Sequence, residues 1–418
     1  MRRLVILGET EDGWAMDKNV TWGFLGAAGI AEKNWASVRR SGNGVLKSVG
    51  SRDIAKAQTF IESCQASLPF EVAPQAVGGY EEILADPEID AVYIPLPTGI
   101  RKEWVIRAAE AGKHVLCEKP CAASLEDLGE MIAACEANGA QFMDGVMFVH
   151  NERLSRILEV LEKGEELGKV RRIESCFSFL GDEEFEGNIR LDSRLEPAGC
   201  LGDLGWYCLR MTLSCFQNAL PERVRAFMLE EKNGVPVEIR ADLYFSDDRS
   251  ASFHCSFTTS LEQTCRISGT KGALSLDDFV QPIEGPETSF RLTQLGSLNE
   301  GSNYSTTATR REVSIPGKST NDVGSQETLL FRKFGELVLS GEVDSSWPEC
   351  SMLTQKVMDA VLKSAREGGE AVELAQQVRE VLRQRAREQP ATVYPLSPRA
   401  ACDSLPSEPA SSLRQFTL

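Results

Sequence analysis

Three stretches of the sequence combine residue types that do chemistry with the spacing that chemistry needs. Gly23-Phe24-Leu25-Gly26-Ala27-Ala28-Gly29-Ile30-Ala31 lies between a short apolar run and an amphipathic one. There Gly26 permits a tight turn, Ala28 keeps the backbone close to a phosphate, and Gly29 and Ile30 open a helix whose N-terminus attracts anions. Ala31 lets that helix pack on the strand. Alanine stands at two of the three places where a dinucleotide fingerprint carries glycine, so the run alone also fits a turn with no ligand. The second stretch, Glu118-Lys119-Pro120, closes the apolar run HVLC and puts a cation at the end of a strand. The third, DLGWY, carries Asp203 and Tyr207 four residues apart, which places both on one face if the segment is helical.

The elements that must position these groups alternate short apolar runs with amphipathic stretches, as in βαβ units with a parallel sheet. TWGFLG, GVLKSVGS, DAVYIPLP, HVLCEKP and QFMDGVMF read as strands. AEKNWASVRRS, DIAKAQTFIESCQ, KEWVIRAAEAG and SLEDLGEMIAACEANG read as helices, the last bracketed by Ser124 and Gly139. The strand GVLKSVGS ends at Ser51-Arg52, where an NAD site places Asp or Glu on the ribose hydroxyls. A hydroxyl and a guanidinium suit the 2′-phosphate of NADP instead, so NADP is favoured over NAD. A solvated Arg52 and an inward-turned Asp53 are the alternatives.

After about residue 147 the pattern changes to one helix, RLSRILEVLEKGEEL, followed by consecutive strands with poor helical periodicity. The expected fold class is α/β, with an N-terminal Rossmann domain and a C-terminal α+β domain whose large, mostly antiparallel sheet is open on one face. The expected boundaries are a leader over 1–19, the nucleotide domain over 20–147, the second domain over 148–372, and a helical then disordered tail over 373–418. Segment 286–325, rich in Ser, Thr, Gly and Asn, reads as a strand with a long loop. ETLLFRKFGELVLSG and CSMLTQKVMDAVLKSAREGG read as helices.

Charge narrows the partners. With 45 Lys and Arg against 62 Asp and Glu, the formal net charge of -17 repels phosphate backbones and anionic lipid. Neither nucleic acid nor a membrane is an expected partner, and no apolar run approaches the ~20 residues that span a bilayer. The 12 cysteines form no paired knuckles and several sit in apolar runs, which suits reduced thiols in the cytoplasm, with an organelle such as a plastid as the alternative. Three widely separated histidines give no material for a metal site.

The stretch DAVYIPLPTGIRKEWVIRAAEAGKHVLCEKP, followed by DLGWY, resembles the Gfo/Idh/MocA oxidoreductases, and the resemblance covers residues 21 to about 372. Among its members the dihydrodiol dehydrogenases and NADP-dependent xylose dehydrogenases look nearest. The resemblance implies hydride transfer between NADP(H) and a CH–OH or C=O group of a sugar or related polyol. A trans-dihydrodiol is the alternative substrate, and a non-catalytic NADP-binding protein the alternative function. On that resemblance Lys119 lies beside the nicotinamide and the substrate oxygen, where a cationic neighbour would depress its pKa and let it relay a proton.

Other roles follow from the same likeness. Glu118 would contact the cofactor ribose or orient the lysine, Pro120 would set the turn, and Pro95, Leu96 and Pro97 would border the cofactor. Tyr207 would manage the substrate proton, provided cations such as Lys119 bring its pKa below the usual ~10; a plain core tyrosine is the other reading. Arg101 is a candidate substrate contact or half of a solvated charge pair with Lys102, and His150 a candidate substrate contact or a core histidine. A homo-oligomer formed through the open sheet face is also implied.

Overall fold

The computed structural model describes residues 18–316 and 322–374; nearly all of the expected leader and tail lies outside them. In the first half, six strands form one sheet: β1 (Val20–Leu25), β2 (Gly44–Ser51), β3 (Gln75–Gly78), β4 (Ala91–Ile94), β5 (His114–Cys117) and β6 (Phe142–Asp144). Between them run α1 (Gly29–Ser41), α2 (Ile54–Ser67), α3 (Glu81–Ala85), α4 (Thr98–Glu110) and α5 (Leu125–Ala137). Helical crossovers make every strand pair parallel, in the order β3-β2-β1-β4-β5-β6 of a dinucleotide-binding sheet. All four residues of β4 are buried, as a central strand covered on both faces requires. Two of these helices, α2 and α5, begin where a side chain accepts a first-turn N–H group: Asp53 from Ala55 at 3.0 Å and Ser124 from Asp127 at 3.2 Å. Sequence reading missed β3 and α3, which at four and five residues are too short to show a period.

The second half opens with α6 (Glu152–Lys163) and the long β7 (Val170–Leu180), then a π-helical turn at Leu201–Gly205 leads into α7 (Trp206–Cys215). Next come β8 (Arg223–Lys232), β9 (Val235–Tyr244), β10 (Ser250–Ser256), β11 (Thr258–Gly269), β12 (Ala273–Leu276), β13 (Glu287–Glu300) and β14 (Asn303–Pro316). The described chain ends with α8 (Gln326–Ser340), α9 (Ser346–Arg366) and β15 (Val372–Glu373). Nine strands make one sheet in the order β14-β13-β12-β11-β7-β10-β9-β8-β15, antiparallel except where β10 runs parallel to β7. The expected loop at 286–325 is instead, in large part, a hairpin of two 14-residue strands, turning at Gly301 with φ of 63°. Its outer half is exposed on both faces, so no alternation of apolar and polar residues marks it in the sequence.

The chain then returns to the first sheet. Phe331 and Phe334 of α8 pack on Trp22 of β1, with ring centroids 5.1 and 5.3 Å apart, and Arg332 donates to the Ser41 carbonyl at 2.8 Å. Burying aromatic side chains of this size contributes about 1.5–3 kcal/mol each. The two sheets are thereby held as the walls of one cleft.

Candidate active site

The cleft, about 800 Å³, opens beyond the carboxyl ends of β1 and β4, where the strand order of the parallel sheet reverses. One wall is the β1–α1 turn. Gly26 sits at φ of 135°, a conformation that favours glycine. Ala28 and Gly29 line the cleft, no side chain caps α1, and a Cβ at Gly29 would meet nothing within 4 Å. These features fit a pyrophosphate held on backbone N–H groups at the start of a helix. Ile30 also lines the cleft, while Ala31 is buried against the strand. Pairing of Leu25 with Gly50 brings Ser51 and Arg52 alongside the turn. Arg52 is exposed and makes no ion pair among the described residues, whereas the Asp53 carboxylate is occupied with capping α2. Those side chains fit a 2′-phosphate better than a ribose diol.

The floor is Pro95, Leu96 and Pro97 on one side and Glu118, Lys119 and Pro120 on the other. Arg101 joins the two. Its buried guanidinium donates from Nε to the Leu96 carbonyl at 2.9 Å and from Nη1 to the Glu118 carbonyl at 2.6 Å, and it also reaches the Pro120 carbonyl. Its donors are therefore directed at the backbone rather than at a substrate. Lys102 turns away to Asp127 and Glu130, and the reading of Arg101 as a solvated charge beside it fails because the guanidinium is buried. Glu118 is buried and accepts from the Tyr93 hydroxyl at 2.7 Å, and that hydroxyl accepts from Asn34 at 2.6 Å. Burial first, and then the Glu118 charge, push Tyr93 well above the usual tyrosine range, so it stays a neutral donor that fixes Glu118.

Lys119 crosses the cleft to the π-helical turn. Its Nζ donates to Asp203 Oδ1 at 2.7 Å and to the Asp203 carbonyl at 2.8 Å. From the segment before that turn, Arg190 Nε donates to Asp203 Oδ2 at 2.7 Å. Burial by itself would raise the Asp203 carboxyl, but the Lys119 and Arg190 charges and hydrogen bonds overcome it and hold it at about 2. Tyr207, the next cleft residue in the chain after Leu204, packs on Phe177 at 5.6 Å, and its hydroxyl donates only to Met147 Sδ at 3.5 Å. Lys119 Nζ lies 4.8 Å from the centre of the Tyr207 ring rather than at its hydroxyl. The expected lowering of Tyr207 is thus reversed. Burial, Glu118 and Asp203 push its pKa well above the usual value, with Arg190 opposing, and the phenol keeps its proton.

His150 lies outside the cleft lining. It is stacked on Trp347 at 4.9 Å, its Nε2 is buried without a partner, and burial together with the Arg210 and Lys333 charges pushes it down to about 3. The stacking on Trp347 supports the reading of His150 as a core or rim histidine. Sequence reasoning missed Lys33 and Glu327, which pair across the cleft between α1 and α8, and Glu196, which accepts from the Thr98 hydroxyl at 2.6 Å. It also missed Arg190. None of the four stands in a motif with local spacing. Among the described residues no group of three or more His, Cys, Asp or Glu side chains is placed to hold a metal, and no helix is long and apolar enough to cross a membrane.

Comparison with known proteins agrees with this geometry. Residues 20–146 match the profile of the oxidoreductase family with NAD-binding Rossmann fold, and residues 155–275 that of the GFO/IDH/MocA C-terminal domain. D-xylose 1-dehydrogenase (NADP(+)) 2 of Haloferax volcanii is 30% identical over 356 residues, 84% of this chain and 99% of that protein. The trans-1,2-dihydrobenzene-1,2-diol dehydrogenase of Bos taurus is 30% identical over 264 residues, 62% of this chain and 74% of that one. The crystal structure of KijD10, a 3-ketoreductase from Actinomadura kijaniata in complex with NADP and TDP-benzene, has the same fold, with a TM-score of 0.70. It is 23% identical and covers 83% of this chain and 98% of that one. The chain belongs to the Gfo/Idh/MocA oxidoreductase family, a Rossmann domain followed by a mostly antiparallel sheet domain. Its activity is that of an NAD(P)-dependent oxidoreductase.

Proposed function

We propose that the protein transfers hydride between NADP(H) and a ring or chain carbon of a sugar or related cyclic polyol, with Lys119, Asp203 and Tyr207 as the catalytic group. The observation that carries this is the Lys119–Asp203 ion pair lying against the Tyr207 ring at the junction of the two sheets. The nicotinamide, when bound, supplies the two-electron acceptor. Gly26, Ala28, Gly29 and Ile30 shape the pyrophosphate site; Ser51 and Arg52 meet the 2′-phosphate; Pro95–Pro97 and Glu118 border the ring and ribose.

An ammonium has three donors, and Asp203 takes two of Lys119's, so the third is available for the substrate oxygen. The Tyr207 hydroxyl, weakly held by Met147, is a second donor to the same oxygen. Asp203 fixes the lysine, and burial excludes water from the pair. This arrangement supports proton delivery to a carbonyl oxygen, or its reverse from an alcohol.

A trans-dihydrodiol is a second reading, favoured by the aromatic wall of Phe177 and Phe179. The test is NADPH formation with a panel of aldoses, cyclic polyols and trans-dihydrodiols. Turnover that disappears in Lys119→Ala and Tyr207→Phe supports the assignment; NADPH binding without turnover of any substrate leaves a binding protein instead.

The division of the chain near residue 147, self-association through the outer face of the nine-stranded sheet, and residence in the cytoplasm are parts of the same proposal. The exposed Phe227 and Leu229 of β8 support the second, and the unpaired thiols of the described cysteines the third. Sedimentation of the purified protein tests the association.

A further inference from the structure

The cleft is chemically lopsided. Around Asp203 it is charged, but away from Tyr207 it turns apolar along β7. Phe177 touches the Tyr207 ring, and Phe179, two residues on and so about 7 Å further along the strand, faces the same cleft. Phe179 is fixed by a triangle with Phe185 and Phe257, at centroid distances of 5.4 and 5.0 Å. Phe185 stands four residues before Ile189, which also lines the cleft.

On the neighbouring strand, pairing of β11 with β7 breaks between Thr258 and Glu262, and the bulge places Leu261 in the cleft lining. A bulge beside a site re-aims a side chain. Leu261 and Ile189 remain 68% and 46% exposed. Two large apolar side chains left open at the cleft, next to Phe179, mark a surface that an apolar group covers.

We infer that the substrate is a glycoside whose aglycone is apolar, an aryl glycoside in the first instance, with the sugar ring at Lys119 and Tyr207 and the aglycone between Phe179, Ile189 and Leu261. This rests on the sugar reading of the same site. The glycosidic bond stays intact, so the reacting carbon is a secondary ring alcohol and not the anomeric carbon. Its hydride passes to NADP+ and its hydroxyl proton passes through the Lys119–Tyr207 pair to solvent, giving a ketone, NADPH and H+.

A matched series of free glucose, methyl β-glucoside and phenyl β-glucoside tests this with NADP+, alongside the shift in Tm that each ligand gives to the full chain. The expected kcat/KM for the phenyl glycoside exceeds that for the methyl glycoside on the order of tenfold or more, and the phenyl ligand gives the larger Tm shift. In Leu261→Asn and Ile189→Asn the phenyl-to-methyl ratio falls toward one. Oxidation of free glucose with no turnover of either glycoside overturns the inference while leaving the sugar dehydrogenase reading in place, as does a phenyl-to-methyl ratio near one in the unaltered protein. A trans-dihydrodiol turned over faster than every glycoside overturns it too. If no compound is turned over, the sugar reading fails; a larger Tm shift from the phenyl ligand then still supports the apolar subsite, and equal shifts reject it.

Discussion

The two sides of the cleft are built in different ways. The proposed cofactor side is made by the ends of parallel strands and the turns that immediately follow them: Gly26 after β1, Ser51-Arg52 at the end of β2, Pro95–Pro97 after β4, Glu118–Pro120 after β5. The proposed substrate side collects Phe177 and Phe179 from β7, Arg190 from the segment before α7, Asp203 from a π-helical turn, Leu261 from a bulge and Glu327 from α8. In the first, the turns that follow parallel strands fix the site. In the second, long side chains reach one another across the chain, and charge fixes the geometry. Asp203, between two cations, is where that second mode concentrates.

The largest effect is therefore expected from Asp203→Asn, which leaves Lys119 and Arg190 facing one another without their shared anion. The kcat should fall about 10²–10³-fold. The dissociation constant for NADPH, read by fluorescence titration, should change only a few-fold, because no backbone of the first side moves. Parallel collapse of binding and turnover would show that the two sides are one structural unit and end the comparison.

The converse substitution is Arg52→Ala. Loss of charge-assisted hydrogen bonds to a 2′-phosphate, at about 1.5–3 kcal/mol, predicts NADPH binding weakened about 10–100-fold. NADH binding should stay within about threefold, since it carries no such phosphate. Equal losses for both cofactors would place Arg52 elsewhere than on the 2′-phosphate.

Arg190→Gln sharpens the comparison within the substrate side. Burial pushes the Asp203 carboxyl up, and Lys119 and Arg190 pull it down to about 2. A carboxylate with a lowered pKa stays ionised until the pH falls through that value. With one cation gone, burial is opposed by Lys119 alone, the pKa rises, and the charge is lost at higher pH. The acid limb of kcat/KM should move upward by about one unit. A uniform drop at every pH, with the limb unmoved, would make Arg190 a packing residue only.

The contrast also explains what could be read from the sequence. Strand β2 and the cap at Ser124 are local, and so is the Gly26 turn; their residues carry the signal within a few positions. Lys119 and Asp203 were legible through their motifs, but their pairing spans 84 residues and that of Asn34 with Tyr93 spans 59. No period or spacing encodes such meetings, which is why Arg190, Glu196, Lys33 and Glu327 stayed hidden. The same limit reversed the reading of Tyr207. The expected cation does approach it, yet stands over the ring face and aims its hydrogens at Asp203.

His150 gives the smallest effect and the finest distinction, since a histidine that read as either a substrate contact or a core residue stacks on Trp347 outside the cleft lining. His150→Phe keeps an aromatic ring there and removes the buried Nε2, so kcat/KM should stay within about twofold. The difference belongs to stability. Burial holds the folded pKa at about 3, below the ~6.5 of an unfolded chain. As the pH falls below ~6.5 the unfolded state gains a proton that the folded state refuses, and stability declines by about 1.4 kcal/mol per pH unit until the folded pKa is reached. At pH 5 this amounts to about 2 kcal/mol. Urea unfolding at pH 7 and pH 5 should show a loss smaller by that amount in His150→Phe than in the unaltered protein. An identical loss in both would mean that this histidine is charged in the fold, and an altered kcat/KM at pH 7 would return it to the cleft.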